Sequence, residues 1–94
     1  MDSKTRAKLR SLANQTEAIL QVGKNGIGDA LLKQIDDALT AREMIKLSVL
    51  ETAPDTPKDT AAEIAEKVGC EVVQVVGRKM TFYRKNPENT IIEL

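Results

Sequence analysis

The sequence predicts an α+β (α/β) domain: a four-stranded mixed sheet with helices packed mainly on one face, in the order α-β-α-β-α-β-β. Three observations carry this. Three segments repeat apolar residues at helical spacing. Four short segments read as strands bounded by turn residues, three bearing valine or isoleucine and the fourth Met80, Phe82 and Tyr83. The middle of the chain runs strand, helix, strand, a unit whose strands normally lie parallel, before a hairpin closes the order.

Ser3 to Asn14 is the first helix, with Leu9, Leu12 and Ala13 as its narrow apolar stripe. On a helical wheel Lys4 and Lys8 flank that stripe on one side and Arg6 and Arg10 on the other, while Ala7, Ser11 and Asn14 form the outer face. The two basic rails suit a polyanion, and equally suit stems that cover apolar surface. Glu17 to Val22 is a short strand ending at glycine.

The second helix starts near Asp29. Gly28 is its N-cap, Asp29 complements its dipole, and Ile27 and Leu32 take the places of a hydrophobic staple. Leu31, Ile35, Ala38 and Leu39 form its buried stripe, and Lys33 and Asp37 an i,i+4 pair on the wet side. Asp36 and Asp37 diverge by about 100° around the helix, so they do not converge as an acid–base pair. Met44 to Leu50 alternates, with Ile45, Leu47 and Val49 on one face and Lys46 and Ser48 on the other.

Thr56, Pro57 and Asp59 open the third helix as N-cap, first-turn proline and capping-box acid. Ala61, Ile64, Ala65 and Val68 face inward, and Gly69 ends the helix. Glu71 to Val76 and Met80 to Arg84 are strands joined by the basic turn Gly77-Arg78-Lys79. Phe82 and Tyr83 point to opposite faces, so only one is expected in the core; Tyr83 is a half-buried cover for the sheet or a ring for a base. Residues 1–85 form the domain; the tail, 86–94, carries Ile91, Ile92 and Leu94 and either docks along the sheet or frays.

Ninety-four residues, 41% of them apolar, support one small core. The single cysteine, Cys70, forms no intrachain disulfide, which fits a reducing compartment. No apolar stretch approaches the ~20 residues that span a bilayer, and the charged start, Met1 to Arg10, lacks the apolar run of a signal peptide. A cytoplasmic protein without membrane contact is expected.

Net charge is zero, but its distribution is not even. Residues 1–10 hold Lys4, Arg6, Lys8 and Arg10 against Asp2; residues 77–86 hold Arg78, Lys79, Arg84 and Lys85 and no acid. Glu51, Asp55, Asp59, Glu63, Glu66 and Glu71 face only Lys58 and Lys67. A molecule so polarised can take a polyanion on one side and repel it on the other. Gly23-Lys24-Asn25-Gly26, between the first strand and second helix, offers turn amides, a lysine and a helix N-terminus, features that attract phosphate. The same four residues also serve as an ordinary strand-to-helix turn.

Catalysis has little to stand on. There is no histidine, Cys70 follows a helix C-terminus that disfavours a thiolate, no phosphate-loop signature appears, and zinc would lack ligands. No catalytic residue, metal or cofactor is assigned.

Four separated blocks resemble the CRM domain family (chloroplast RNA splicing and ribosome maturation): Arg6-Ala7-Lys8-Leu9-Arg10-Ser11-Leu12-Ala13, Gln21-Val22-Gly23-Lys24-Asn25-Gly26, Ala41-Arg42-Glu43-Met44-Ile45-Lys46 and Val73-Gln74-Val75-Val76-Gly77-Arg78-Lys79. They cover roughly residues 3 to 85, and in length the chain is most similar to the YhbY-like single-domain bacterial members. The resemblance implies a fold like the C-terminal domain of a bacterial translation initiation factor. It also implies RNA binding, with ribosomal RNA in large-subunit precursors as the partner.

The family's loop and basic surface map to Gly23, Lys24, Asn25 and Gly26, with Arg78 and Lys79 as neighbours; Lys4, Arg6, Lys8 and Arg10 complete the candidate set. Gly28 stands where a serine or threonine cap is more usual, Thr16-Glu17-Ala18 lacks a proline often seen there, and the acidic loop from Glu51 to Asp59 is unlike a basic surface. The expected function is that of a monomeric RNA-binding ribosome-assembly factor. The alternative is a protein-interaction module whose acidic third-helix region binds a ribosomal protein or another basic partner without RNA.

Overall fold

The first helix, α1 (Ser3–Ala13), leads into β1 (Ala18–Val22), α2 (Asp29–Arg42), β2 (Met44–Val49), α3 (Pro57–Val68), β3 (Glu71–Val76) and β4 (Lys79–Tyr83). The computed structural model describes residues 2–88 and 90–92. The strands form one mixed sheet in the order β1-β2-β4-β3, with β1 and β2 parallel and the other pairs antiparallel.

Local chemistry sets the helix ends. The Asp2 carboxylate accepts from the Thr5 N–H at 2.8 Å, starting α1. Thr56 Oγ1 accepts from the Asp59 N–H at 3.1 Å, starting α3 behind Pro57 at its first turn. Gly69 ends α3 in the left-handed region at φ 74°. Gly28 caps α2 in an extended conformation without a side-chain bond, as glycine must. Ile27 and Leu31 pack against the core and Leu32 is half-buried.

The core has two parts, one on each face of the sheet. Ile45, Leu47 and Val49 of β2 and Met80 and Phe82 of β4 meet Ile35 and Leu39 of α2 and Ala61 and Ile64 of α3. Across the sheet, Leu9 and Ala13 of α1 meet Met44, Val73 and Tyr83. Two helices thus cover one face and α1 covers half of the other.

That placement corrects the expectation for Phe82 and Tyr83. They do point to opposite faces, but both are buried, at 0% and 6% exposure, because each face has its own helix layer. Tyr83, packed under α1, is not a ring offered to a base. The tail docks. The N–H groups of Asn86, Ile91 and Ile92 all donate to the Glu43 carboxylate at 2.6 Å, and Ile92 packs against the Leu9–Tyr83 cluster. Leu94 lies outside the described residues.

Candidate nucleic-acid interface

The Gly23–Gly26 segment is a closed turn. The Gly26 N–H donates to the Gly23 carbonyl at 2.9 Å, which leaves Lys24 and Asn25 exposed at the tip. Gly26 is required twice over. Its φ is +67°, and a Cβ there would lie 3.1 Å from Pro54 Cγ. Gly23 is less constrained, since its Cβ would meet only Leu50 Cδ1 at 3.7 Å. Asp29 already sits in the first turn of α2, so negative charge occupies that helix end. The turn amides and the Lys24 ammonium are therefore the anion-attracting groups, rather than the helix dipole.

The β3–β4 hairpin arrives at the same end of the sheet. The Val49 N–H donates to the Arg78 carbonyl at 2.8 Å, and the Leu50 N–H to the Val22 carbonyl at 2.9 Å. Arg78 then turns back on β2: Nε donates to the Val49 carbonyl at 2.6 Å and Nη2 to the Leu50 carbonyl at 2.7 Å. The guanidinium has further N–H groups beyond these two bonds. Lys79 Nζ donates to Ser48 Oγ at 2.7 Å. The sheet thereby gathers Gly23 to Gly26, Arg78 and Lys79 around the C-terminal end of β2, from two separate stretches of chain.

The α1 residues stand apart. Leu9 packs on the row of Met44 and Tyr83, at the start of β2. The other end of that strand is about 16 Å away, at ~3.3 Å per residue. Arg6 Nη1 donates to the Val72 carbonyl at 2.8 Å, which fastens α1 to the irregular stretch of β3. Lys4, Lys8 and Arg10 are exposed along the helix. The basic run of residues 77–86 also divides. Arg84 lies at the far end of β4, where it bonds Asp36 Oδ1 at 2.7 Å, Thr40 Oγ1 at 2.9 Å and the Val68 carbonyl at 3.2 Å. It joins β4 to α2 and α3.

The acids have a definite side. The β2–α3 loop carries exposed Glu51 and Asp55, and it passes Gly26 through Pro54 while Ala53 packs into the α2–α3 core. The Gly23–Gly26 turn is thus flanked by acid towards α3 and by base towards the hairpin.

Sequence comparison agrees with the fold. The model of the CRS1 / YhbY (CRM) domain matches residues 1–84. The chain belongs to this family. It is 38% identical over 94 residues to the Bacillus subtilis (strain 168) protein named "Probable RNA-binding protein YqeI", covering 100% of this chain and 98% of that one. It is 26% identical to a Haemophilus influenzae (strain ATCC 51907) protein named "RNA-binding protein", over 97% of this chain and 92% of the relative. The solution structure of SAV1595 from Staphylococcus aureus superposes with a TM-score of 0.83 at 42% identity, covering 100% and 98% of the two chains.

Within this CRM domain, no group of three or more histidine, cysteine, aspartate or glutamate side chains is placed to hold a metal, among the described residues. Burial pushes the Cys70 thiol up to about 11, against the smaller opposing pull of Arg84. No helix of the described residues is long and apolar enough to cross a membrane.

Three residues, Glu43 among them at the far end of β2 from the turn, escaped the sequence reading. Pro54 braces Gly26. Glu43 is fully buried with φ 64° and holds the tail. Lys46 stands on the α1 side of the sheet beyond the helix. Only Lys46 left a signal, its alternation with Ile45 and Leu47; the other two depend on chain segments that meet in space.

Proposed function

We propose that this CRM domain binds RNA, specifically ribosomal RNA in precursors of the large subunit, as a monomer without catalytic activity. The Gly23–Gly26 turn with Lys24 at its tip makes the central contact. Arg78 and Lys79 continue it, and the basic residues of α1, Lys4, Arg6, Lys8 and Arg10, are an outlying contact. One observation carries this reading: strand pairing brings the Lys24-tipped turn and a basic hairpin to the same end of β2. Turn amides and cations together suit phosphate. The family and the names of the RNA-binding relatives support the class of ligand.

Lys24→Glu with Asn25→Asp tests the reading, since neither side chain is needed for the fold. In a sucrose gradient of cell lysate, the wild type is expected with large-subunit precursors and the folded double variant at the top. With purified RNA, log K should fall linearly with log salt, by about 0.7 per neutralised phosphate on a single strand. Sedimentation that survives nuclease, with no binding to purified RNA, would instead assign the chain to a basic protein partner on its acidic side.

A further inference from the structure

α1 covers only part of its face of the sheet. The row Met44, Tyr83 and Glu71 lies at its level. Of the two rows nearer the hairpin, the inner one meets the end of α1, where Asn14 Oδ1 accepts from Gln74 Nε2 at 3.3 Å, and the outer one lies beyond the helix. One crosses all four strands in register as Gln21, Ser48, Lys79 and Val76. Gln21 and Lys79 in it are exposed, as is Val76 at 62%. The next holds Lys46, Thr81 and Gln74. Thr81 is its buried floor, while Lys46 and Gln74 are half-buried. Together the two rows carry two lysines, one each, and no acid.

We infer that this half of the sheet is a track for single-stranded RNA, running on from the Gly23–Gly26 turn and rested on Lys46 and Lys79. The inference builds on the RNA-binding reading above and adds the surface and form of the RNA. Three observations favour it. The Lys79 ammonium is held down on the face by Ser48 Oγ at 2.7 Å, rather than extended from the turn. Lys46 stands diagonal to it on the neighbouring strand, about 7–8 Å away by sheet geometry, within reach of neighbouring phosphates of one chain. Glu51 and Asp55 flank the turn on its other side, so a polyanion leaving it is repelled from α3 and drawn across this face.

The face also specifies how it reads its ligand. No aromatic ring stands on either row, so it does not stack bases as sheet-face RNA binders do. Gln21 and Ser48 are neutral groups that both donate and accept, which matches a ribose 2′-hydroxyl. Binding here is tolerant of base sequence and prefers RNA to DNA.

The test uses the full chain with fluorescent single-stranded oligoribonucleotides and their deoxy counterparts, measured by anisotropy across a salt series. Folding is checked for every variant by thermal melting. Lys46→Gln is expected to weaken RNA binding several-fold and make the salt slope shallower by about 0.7. Gln21→Ala with Ser48→Ala is expected to narrow the RNA-over-DNA preference. If a folded Lys46→Gln protein binds with unchanged affinity and slope while the Lys24 variant loses binding, the track is wrong and the turn reading stands. Loss in Lys46→Gln alone keeps the track and overturns the turn. If the wild type binds no single strand, the track falls. The same holds if light scattering shows a dimer that Lys46→Gln abolishes with RNA binding intact, for a second copy then covers this face.

Discussion

The Glu43 carboxylate holds the Asn86 backbone: Oε2 accepts from the Asn86 N–H at 2.6 Å, while Oε1 accepts from Ile91 and Ile92 at the same distance. The residue that ends α2 thereby fixes the tail against the α1 cluster. It does so at φ 64° and ψ −37°, a conformation unfavourable for a side-chain-bearing residue, sustained by the bonds its carboxylate makes.

Hydrogen bonds from Asn86 and then Ile92 hold the Glu43 carboxyl below its ordinary value, against the opposing effect of burial. Its folded value being depressed, the charged form is the one the native state favours. The stabilisation is present above the unfolded glutamate value and is lost as pH falls through the lower folded one. Glu43→Gln should destabilise the domain by about 1–3 kcal/mol near neutrality. In urea titrations, the gap between variant and wild type should close in acid.

Gly26 and Gly28 should respond oppositely to substitution. Gly26→Ala meets both a left-handed backbone and Pro54, so it should cost about 1–2 kcal/mol and weaken RNA binding with it. Gly28 has φ −106° and open space around its Cβ position. Gly28→Ser supplies the missing side-chain cap and should add a few tenths of a kcal/mol, roughly. Thermal melts of the two single variants check both.

Arg84 bonds partners in α2 and at the end of α3 from the end of β4. Arg84→Ala should cost about 2 kcal/mol. Arg84→Lys should not rescue it, because one ammonium cannot reproduce the planar fork. RNA affinity of the folded variants should match wild type, although Arg84 lies in the same basic run as Arg78.

The Cys70 thiol should be poorly reactive in the native protein. Burial raises its value to about 11, so the neutral form is the favoured one. The associated stability is full below the free thiol's ~8.5 and fades as pH rises towards the folded value. Iodoacetamide should label native protein slowly at pH 8 and label it rapidly in urea. Equal rates would show the thiol to be unburied.

Much of this was legible from spacing. The periodicities of Leu9 and Ala13, of Ile35 and Leu39 and of Ile45, Leu47 and Val49 placed the helices and strands and chose their buried faces. Turn chemistry at Thr56, Gly69 and Gly77 placed their ends. Alternation in β4 assigned Phe82 and Tyr83 to opposite faces, but not a helix to each face, since a period does not say which layer lies above it.

The candidate site divides along the same line. Gly23 to Gly26, Arg78 and Lys79 are visible as local sequence, because glycine and cationic side chains carry their chemistry wherever they stand. Their meeting at the end of β2 required the tertiary structure, as did the docking of the tail on Glu43 and the removal of Arg84 to the opposite end of β4. The sheet rows holding Lys46 and Lys79 belong there too. Sequence determined local conformation, because periodicity and capping act within a few residues. Tertiary structure decided the surfaces, because charges from distant segments become one site only when sheet pairing and helix packing fix which side of the sheet each one occupies.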